Sequence, residues 1–367
     1  MTTALTTDLA VRRLLVAAGE APSVLNTQPW RFTVRHGDVI DLLADWDRWL
    51  RVSDPRGRSL HVSCGAALFN LRIAARATGR SPVVRLLPEP QRAPDLLARV
   101  TIGAHAPATS DERHLYGLIP IRRTNRTPFS DRLIPAPVLS EMRVAATLEG
   151  ARLSFLDERS SADLLDYAAL AQDELARDEE YLAELAAWTG GHGVPSYVQG
   201  PVATGDVDPV RDYGRRIGSA RFEPRPQLAV LTTAGDEPLD WLRAGQALQR
   251  VLLVATGHWV SASYLNQPLD LRDMRRRRDP HHRRGHPQMI MRLGYGEMVP
   301  RAPRRPVTEL LPDGSCEAGP PPTLRADTRC SAPEHAVATP GKRRTAASAA
   351  PRACSSQEAS SVVAPRR

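Results

Sequence analysis

The sequence predicts an α+β fold in which two similar units follow one another in one chain of 367 residues. Three observations support this prediction. Helical and strand patterns alternate along residues 1–311, an apolar helical segment that begins at Gly65 recurs at Gly245, and a strand pattern follows each copy. With 42% hydrophobic residues, the chain can bury one large core or two small ones.

Apolar periodicity, caps and breakers locate the individual elements. A Thr/Asp cap precedes the first helix, a glycine ends it, and Gly79 ends the second. The predicted elements of the first unit are a helix at 7–19, a hairpin at 31–43 with its turn at His36–Gly37–Asp38, a helix at 60–78, and strands at 82–87 and 97–102. Those of the second unit are helices at 137–149 and 160–187, a strand at 226–233, a helix at 238–256 and a strand at 287–293.

The internal repeat rests on a small number of matches. Four matches between helices rich in Ala and Leu also arise by chance. A repeat near half the length of residues 1–311 nevertheless indicates two copies of one α+β unit, a dimer fused in one chain. The identical pairs are Gly65/Gly245, Ala67/Ala247, Leu68/Leu248 and Ala75/Ala255.

The character of the chain changes at Pro312. Residues 312–367 are rich in Pro, Ala, Ser and Thr, contain no Ile or aromatic residue and show no lasting apolar period. Such a segment buries too little surface to offset its ordering entropy, so it is predicted to be a disordered tail. The predicted organisation is a first half at 1–115, a second half at 116–311 with a long Gly/Pro-rich loop at 188–225, and the tail.

Composition excludes several classes of protein. The sequence holds a single lysine, Lys342, so residues 1–311 offer neither a Schiff-base lysine for pyridoxal phosphate nor the lysine of a Walker A loop. No run of 18 apolar residues and no secretory signal is found, which predicts a cytoplasmic protein that does not enter a membrane. The net charge of +8 accompanies a strong bias of arginine over lysine, so basicity alone is weak evidence for nucleic-acid binding.

The four cysteines do not indicate a disulfide framework or a structural zinc site. They form no CxxC pair, and no histidine stands at zinc-ligand spacing. Cys64 is interpreted as a small buried residue, with an activated thiol near a helix N-terminus as the alternative.

Residues 21–32, with the sequence APSVLNTQPWRF, form the most informative segment. Short polar residues between two prolines cannot continue the preceding helix, and they gather several hydroxyl and amide groups on one tight loop. Such groups suit hydrogen bonding to a planar heterocycle that carries carbonyl and ring-nitrogen acceptors. An ordinary capped turn is the alternative.

Arginine-rich segments form a second candidate feature. A cluster of three arginines and a threonine is typical of a clamp for a phosphate or carboxylate, and a solvated basic loop is the alternative. Its members are Arg122, Arg123, Thr124 and Arg126.

Further along, the segment GYGEMV after a predicted strand imitates the start of a dinucleotide fingerprint. The third glycine is absent, and Pro300 and Pro303 prevent the required helix, so a Rossmann site is not predicted.

Together these segments resemble the nitroreductase superfamily, FMN-dependent oxidoreductases of α+β fold. Within it the chain is similar to the tandem Acg-type branch, in which two half-units share one polypeptide and form an intrachain pseudo-dimer. The resemblance covers residues 5–311 and rests on the order and spacing of its motifs. These are APSVLNTQPWRF, DPRGRSLHVSCGAALFNL, IPIRRTNRTPF, LNQP, and RLGYG followed by PRRPV.

The resemblance implies one FMN between the half-units, since ordinary members bind the flavin in a dimer interface. The loop of the first half would contact the flavin ring edge, and the arginines of the second half would hold the phosphate and ribityl chain. The backbone after the long second-half helix would approach flavin N5. The second half lacks an equivalent loop motif, which implies a single site. The residues assigned these roles are Pro22, Ser23, Asn26 and Gln28; Arg122, Arg123, Thr124 and Arg126; Arg304 and Arg305; and Asn266 and Gln267.

The implied activity is hydride transfer from NAD(P)H through FMN to an electron-poor small-molecule acceptor, with no catalytic side chain and no metal, in a monomer or homodimer. Two departures from the family pattern qualify it. The segment that matches residues 188–225 covers the cofactor in the Acg-type branch, so an FMN-sequestering protein with little or no nitroreductase turnover is an alternative. His258–Trp259–Val260 also stand where a His-Gly-Leu turn is expected, so the helix lacks its terminal glycine.

Binding of a polyanion by the arginine-rich segment 275–286 is a function of a different class. No aromatic residues are interleaved there, so a solvated loop is the preferred interpretation and nucleic acid is not an expected partner. His281, His282 and His286 lack carboxylate or thiolate partners in the sequence pattern, and metal binding is not predicted.

Overall fold

The computed structural model describes residues 2–35, 38–190, 193–205, 210–214, 216–275 and 285–311, with only the backbone of residues 2–8. Two positions of the predicted turn (His36 and Gly37), the predicted tail 312–367 and most of the arginine-rich segment 275–286 lie outside the described residues.

The first half of the chain forms a four-stranded antiparallel sheet against which a long helix packs. In the sheet the strands stand in the order β1-β2-β4-β3. Trp30 pairs with Ala44 at one end of the β1–β2 ladder and Arg35 with Val39 at the other, which confirms the predicted hairpin. The elements are α1 (Thr2–Gly19), β1 (Trp30–Arg35), β2 (Val39–Ala44), α2 (Arg58–Ala77), β3 (Arg80–Leu86) and β4 (Leu96–His105).

The second half forms another four-stranded antiparallel sheet, in the order β5-β8-β10-β9. Two-residue strands β6 and β7 pair separately, in parallel. The elements are α3 (Ser110–Leu118), α4 (Ala136–Leu148), β5 (Arg152–Phe155), α5 (Glu158–Leu175), α6 (Glu179–Ala187), β6 (Val202–Ala203), β7 (Ser219–Ala220), β8 (Gln227–Thr233), α7 (Pro238–Gly257), β9 (Ser261–Tyr264), α8 (Gln267–Met274), β10 (His286–Gly294) and α9 (Val307–Leu310).

The two sheets share one topology. In each sheet, one edge strand lies beside the strand that precedes the long helix. The next strand in the sheet is the second one after that helix along the chain, and the other edge strand is the first one after it. The helices α2 and α7 hold equivalent places. The predicted α+β class and its two similar units are therefore confirmed.

The recurring glycines lie where α2 and α7 cross. A Cβ atom on Gly65 would overlap the carbonyl oxygen of Leu242, and one on Gly245 would overlap the carbonyl oxygen of Val62. Each glycine thus meets the residue three positions before the other, as in an isologous contact between identical subunits. The segment repeated in the sequence therefore forms the contact surface between the halves. At Gly65 and Gly245 only a hydrogen atom fits where other residues carry a side chain.

The structure corrects several predicted elements. Residues 160–187 do not form a single helix, because the Asp178 carboxylate accepts a hydrogen bond from the Tyr181 N–H and starts a new helix, α6. The short elements α3, β5, β9 and α8 were not predicted. The predicted division between residues 115 and 116 falls inside α3, and these domain bounds stay a prediction. Among the described residues, no helix has both the length and the apolar character of a membrane span.

The end of α7 shows how the chain manages without the expected glycine. Trp259 itself takes the left-handed conformation, with φ +61°, while the Val260 N–H donates to the carbonyl of Ala255 at 2.9 Å. A left-handed backbone costs a residue with a Cβ roughly 1–2 kcal/mol. The indole offers little burial in return, since 70% of Trp259 is exposed.

Replacing Gly65 with Ala is expected to destabilise the protein by about 2 kcal/mol or more, because the methyl group must force α2 and α7 apart. Urea unfolding measures the change. Gly117→Ala is the matched control, since its Cβ would meet nothing within 4 Å on an exposed helix, and a gain of about 0.5–1 kcal/mol is expected there. Equal stability of the two variants would contradict the close crossing.

Replacing Trp259 with Gly is expected to stabilise the protein by about 1 kcal/mol, because glycine adopts the left-handed conformation without strain. Thermal unfolding measures it as a higher Tm. Trp259→Ala removes the same indole but keeps a Cβ, so it should show no such gain. A glycine variant no more stable than the alanine variant would rule out backbone strain here.

Candidate functional site

The loop after α1 carries the first group of candidate residues. It is folded tightly by three non-glycine residues with positive φ, namely Leu25, Asn26 and Gln28. The Ser23 hydroxyl accepts a hydrogen bond from the Gln28 N–H at 2.9 Å and so closes the loop. The Val24 N–H donates to the Ser63 hydroxyl of α2 at 3.1 Å, which fixes the loop against that helix.

A cavity of about 500 Å³ opens between this loop and the arginine-rich segment. The structure brings together residues from the two halves and from the C-terminal segment at this cavity. The predicted residues that line it are Pro22, Ser23, Asn26, Arg122, Arg123, Thr124, Arg126 and Arg304.

Arg122 is the least compensated cation in this cavity. Only 4% of the residue is exposed, and its Nε and Nη1 atoms have no hydrogen-bond partner among the described residues. Burial lowers the pKa of Arg122, and the positive charges of Arg123 and Arg126 lower it further. Since a buried charge needs a partner, this guanidinium indicates an anion-binding position.

Arg304 adds a second guanidinium from the segment after β10. Its Nη1 donates to the Asn26 side-chain oxygen at 3.0 Å, which ties the C-terminal segment to the first loop. Burial, and then the charge of Arg122, lower the pKa of Arg304 to about 9. Glu20 is the nearby carboxylate, at 3.9 Å from Arg304 Nε, so the cavity keeps an excess of positive charge.

A second cavity of about 600 Å³ adjoins the first, and Pro22, Ser23, Arg126 and Tyr264 line both. Apolar walls dominate it, with a few hydroxyl and amide groups between them, which suits a flat ring bearing hydrogen-bonding atoms. Its further lining residues are Val24, Leu25, Ser59, Val62, Ser63, Arg211, Tyr213, Leu248, Asn266 and Met289.

The start of α2 holds the hydroxyls of this cavity in place. Asp54 accepts hydrogen bonds from the backbone N–H groups of Ser59 and Leu60, and burial raises its pKa to about 7. Ser63 in turn donates to the carbonyl of Ser59 at 2.7 Å. Ser59 and Ser63 therefore face the cavity from a fixed helix end.

Asn266 lines the second cavity, whereas its neighbour Gln267 does not. The Asn266 side-chain oxygen accepts the Ile290 N–H at 2.9 Å, so β10 orients it. Gln267 is buried and lines neither cavity, although its Oε1 has no partner among the described residues. Its predicted role near the cofactor stays a prediction.

Gln28 and Arg305 bind each other instead of lining a cavity. The Arg305 N–H donates to Gln28 Oε1 at 2.8 Å, and its guanidinium contacts the Trp30 carbonyl and Asp45. These contacts hold the C-terminal segment on β1. A direct cofactor contact by either residue stays a prediction.

The described parts of residues 188–225 lie over both cavities. Val194 and Val198 line the first, and Arg211 and Tyr213 line the second. Arg126 holds this segment, since its Nη1 donates to the Val198 carbonyl at 2.9 Å and its Nε to the Tyr213 hydroxyl at 3.0 Å. Arg126 is thus more constrained than Arg122.

Several site residues were missed by sequence reasoning. Arg211 is held by Asp270 and the Tyr181 hydroxyl, although its surrounding loop carries no motif. Tyr264 lies in strand β9, which was not predicted. Met289 lies in a strand that was predicted, but nothing in the sequence indicated that its side chain faces a site.

Cys64 is buried inside α2 and donates to the Pro29 carbonyl at 3.1 Å, and burial raises the pKa of its thiol. The prediction of a small buried residue is confirmed. Within the described part of the chain, no group of three or more His, Cys, Asp or Glu side chains is arranged to hold a metal ion.

Solved structures and family models add little to this geometry. No family model matches the chain. A nitroreductase-like protein from Bacillus cereus is 16% identical, with a TM-score of 0.32 over 56% of this chain and 96% of its own. A nitroreductase with bound FMN from Bacteroides fragilis is 14% identical, with a TM-score of 0.32 over 52% and 93%.

Two relatives from Mycobacterium tuberculosis extend along most of the chain. The protein named "Putative NAD(P)H nitroreductase acg" is 29% identical over 330 residues, 84% of this chain and 97% of its own. The protein named "Putative NAD(P)H nitroreductase Rv3131" is 32% identical over 320 residues, 82% of this chain and 90% of its own. At this identity and coverage, the chain belongs to the NAD(P)H nitroreductase family that its sequence motifs predicted.

Proposed function

We propose that the protein is an FMN-dependent oxidoreductase in which NAD(P)H is the reductant and an electron-poor small molecule the acceptor. The observation that carries this proposal is the buried Arg122 guanidinium, at the end of a cleft with an apolar far wall. Its Nε and Nη1 have no hydrogen-bond partner in the part of the chain that the structure describes. FMN combines a dianionic phosphate with a flat ring system, so its two ends match the two cavities.

The donor set fits this cofactor. Arg122, Arg123 and Arg304 would hold the phosphate, since charge-assisted hydrogen bonds to guanidinium groups are among the strongest available. Ser23 lines both cavities and Asn26 lines the first, so these two residues would meet the ribityl chain and the ring edge. The names of the family relatives support NAD(P)H as the reductant.

FMN, when bound, supplies the capacity to accept and donate a hydride, which side chains lack. The protein's own part is to place the ring and exclude water. Val62, Leu248 and Met289 provide an apolar wall for the ring. Ser59 offers a hydroxyl along the ring edge, whereas the Ser63 hydroxyl already bonds to the backbone of Val24 and Ser59. None of these residues needs to exchange a proton for this role.

The cover formed by the described parts of residues 188–225 favours a second candidate function, retention of FMN with little turnover. Tyr213 lines the ring cavity and accepts from Arg126, and Arg211 beside it is paired with Asp270. An acceptor must share this space with both side chains. Opening of this cover therefore decides between an enzyme and a flavin store.

Arg122→Met is expected to weaken FMN binding by about ten- to a hundredfold, because a hydrogen bond from a charged donor contributes about 1.5–3 kcal/mol. The FMN-free variant should unfold at the same or a higher temperature than the native protein, since an unpaired buried charge has been removed. Quenching of FMN fluorescence measures the affinity, and thermal unfolding measures the stability.

Arg225→Ala is the control for Arg122→Met. Arg225 is 78% exposed and pairs with the equally exposed Glu158, so its loss should leave both FMN affinity and Tm unchanged. Unchanged FMN affinity in Arg122→Met would remove the phosphate assignment.

The purified protein is expected to show the absorbance of oxidised flavin, and anaerobic NADPH should bleach it. Tyr213→Ala should accelerate the bleaching at least several-fold, because it removes a ring from the cavity and a contact that holds the cover. Tyr197→Ala is matched to it, since Tyr197 belongs to the same segment but is 54% exposed and lines neither cavity.

Bleaching in Tyr213→Ala but not in the native protein would assign the function of a flavin store. A colourless protein that takes up no added FMN would contradict both candidate functions.

A further inference from the structure

A groove of about 570 Å³ lies outside the cleft, between the end of α7 and the segment that follows β10. Three large hydrophobic residues on its sides are exposed to solvent: Ile121 by 44%, Trp259 by 70% and Met298 by 82%. Contiguous exposed apolar side chains of this size are typical of binding surfaces.

Trp259 is held in this groove against its backbone preference. It has φ +61°, a conformation that is a true outlier for a bulky residue. Such strain persists where it serves a site, and here the result is an indole presented to solvent. Asn125 fixes the opposite side, because its amide donates to the Glu297 carbonyl at 2.8 Å and its backbone N–H to the Ala262 carbonyl.

Arg123 connects the groove to the phosphate end of the cleft, since it lines both. Its Nη1 donates to the carbonyls of Pro120 and Arg122, and no carboxylate among the described residues lies within ion-pair distance. Burial lowers the pKa of Arg123, and the charge of Arg301 lowers it further. An indole and a guanidinium that has no ion-pair partner among the described residues thus line the same groove.

We propose that this groove binds the adenosine-phosphate end of NAD(P)H, with adenine stacked on Trp259 and a phosphate on Arg123. This inference rests on the proposed use of NAD(P)H. A stacked base on an aromatic side chain and a phosphate on arginine are the standard pairings for such a ligand.

Calorimetric titration of the full chain with adenosine 2′,5′-bisphosphate and with ADP tests the proposal without requiring flavin reduction. The native protein is expected to bind at least one of these probes. Trp259→Gly should weaken binding about tenfold, which corresponds to the lower part of the stacking range. It should do so although the variant is at least as stable as the native protein, and Trp259→Phe should restore most of the affinity.

With FMN present in excess to fill the first cavity, Arg123→Gln should weaken the bisphosphate and ADP alike, while nicotinamide mononucleotide should be insensitive to both substitutions at Trp259. If NADPH reduces the protein, Trp259→Gly should raise KM and leave kcat unchanged. Equal affinity of native protein and Trp259→Gly for the probes, or no binding by the native protein, would overturn the proposal.

Light scattering after size-exclusion chromatography tests the alternative that a second copy of the chain occupies the groove. A change of oligomeric state in Trp259→Gly would assign the groove to a second copy of the chain and would also overturn the proposal. Nucleotide binding by a protein that takes up no FMN would instead uphold the groove and reject the proposed function, so the two failures are distinguishable.

Discussion

The close crossing of α2 and α7 determines where every wall of the cleft stands. Because Gly65 and Gly245 let the two backbones touch, the first turns of α2 come to face the middle of α7. Ser59 and Ser63 on one helix and Leu248 on the other can then line a single cavity. The fully buried pair between Arg58 of α2 and Asp273 of α8 fixes the same arrangement from the side of the second sheet.

The halves share a topology, but the connection after the first helix of each differs. After α1 a ten-residue loop (residues 20–29) projects Ser23 and Asn26 into a cavity, whereas α4 is followed by a short turn to β5. In that turn the nearly buried carboxylate of Glu149 pairs with Arg72 and Arg250. A carboxylate repels phosphate and already neutralises the arginines near it. The length of one loop therefore turns a symmetric pair of units into an asymmetric one with an anion site on one side.

Long, strongly periodic elements could be predicted from the sequence, and so could residues joined in compact motifs. The helix at 60–78 and the hairpin at 31–43 are found almost unchanged, and the loop at 21–32 meets Arg122 and Arg304 as expected. Short elements such as β9, with the sequence SASY, lack a period long enough to detect. Gln28 carried a recognisable motif position, yet whether it faces the cavity or Arg305 depends on tertiary packing that no spacing reveals.

Both candidate binding surfaces are places where the free protein is less stable than it could be. Arg122 holds away from water a charge that is unpaired among the described residues, and Trp259 holds a left-handed backbone that glycine would adopt freely. Neither feature improves packing, because the first opposes burial and the second leaves an indole in solvent. A ligand whose phosphate pairs with the guanidinium, or whose base stacks on the indole, would offset each cost on binding. The same reasoning does not apply to Arg58, whose buried charge is already paired with Asp273 and whose loss would only weaken the fold.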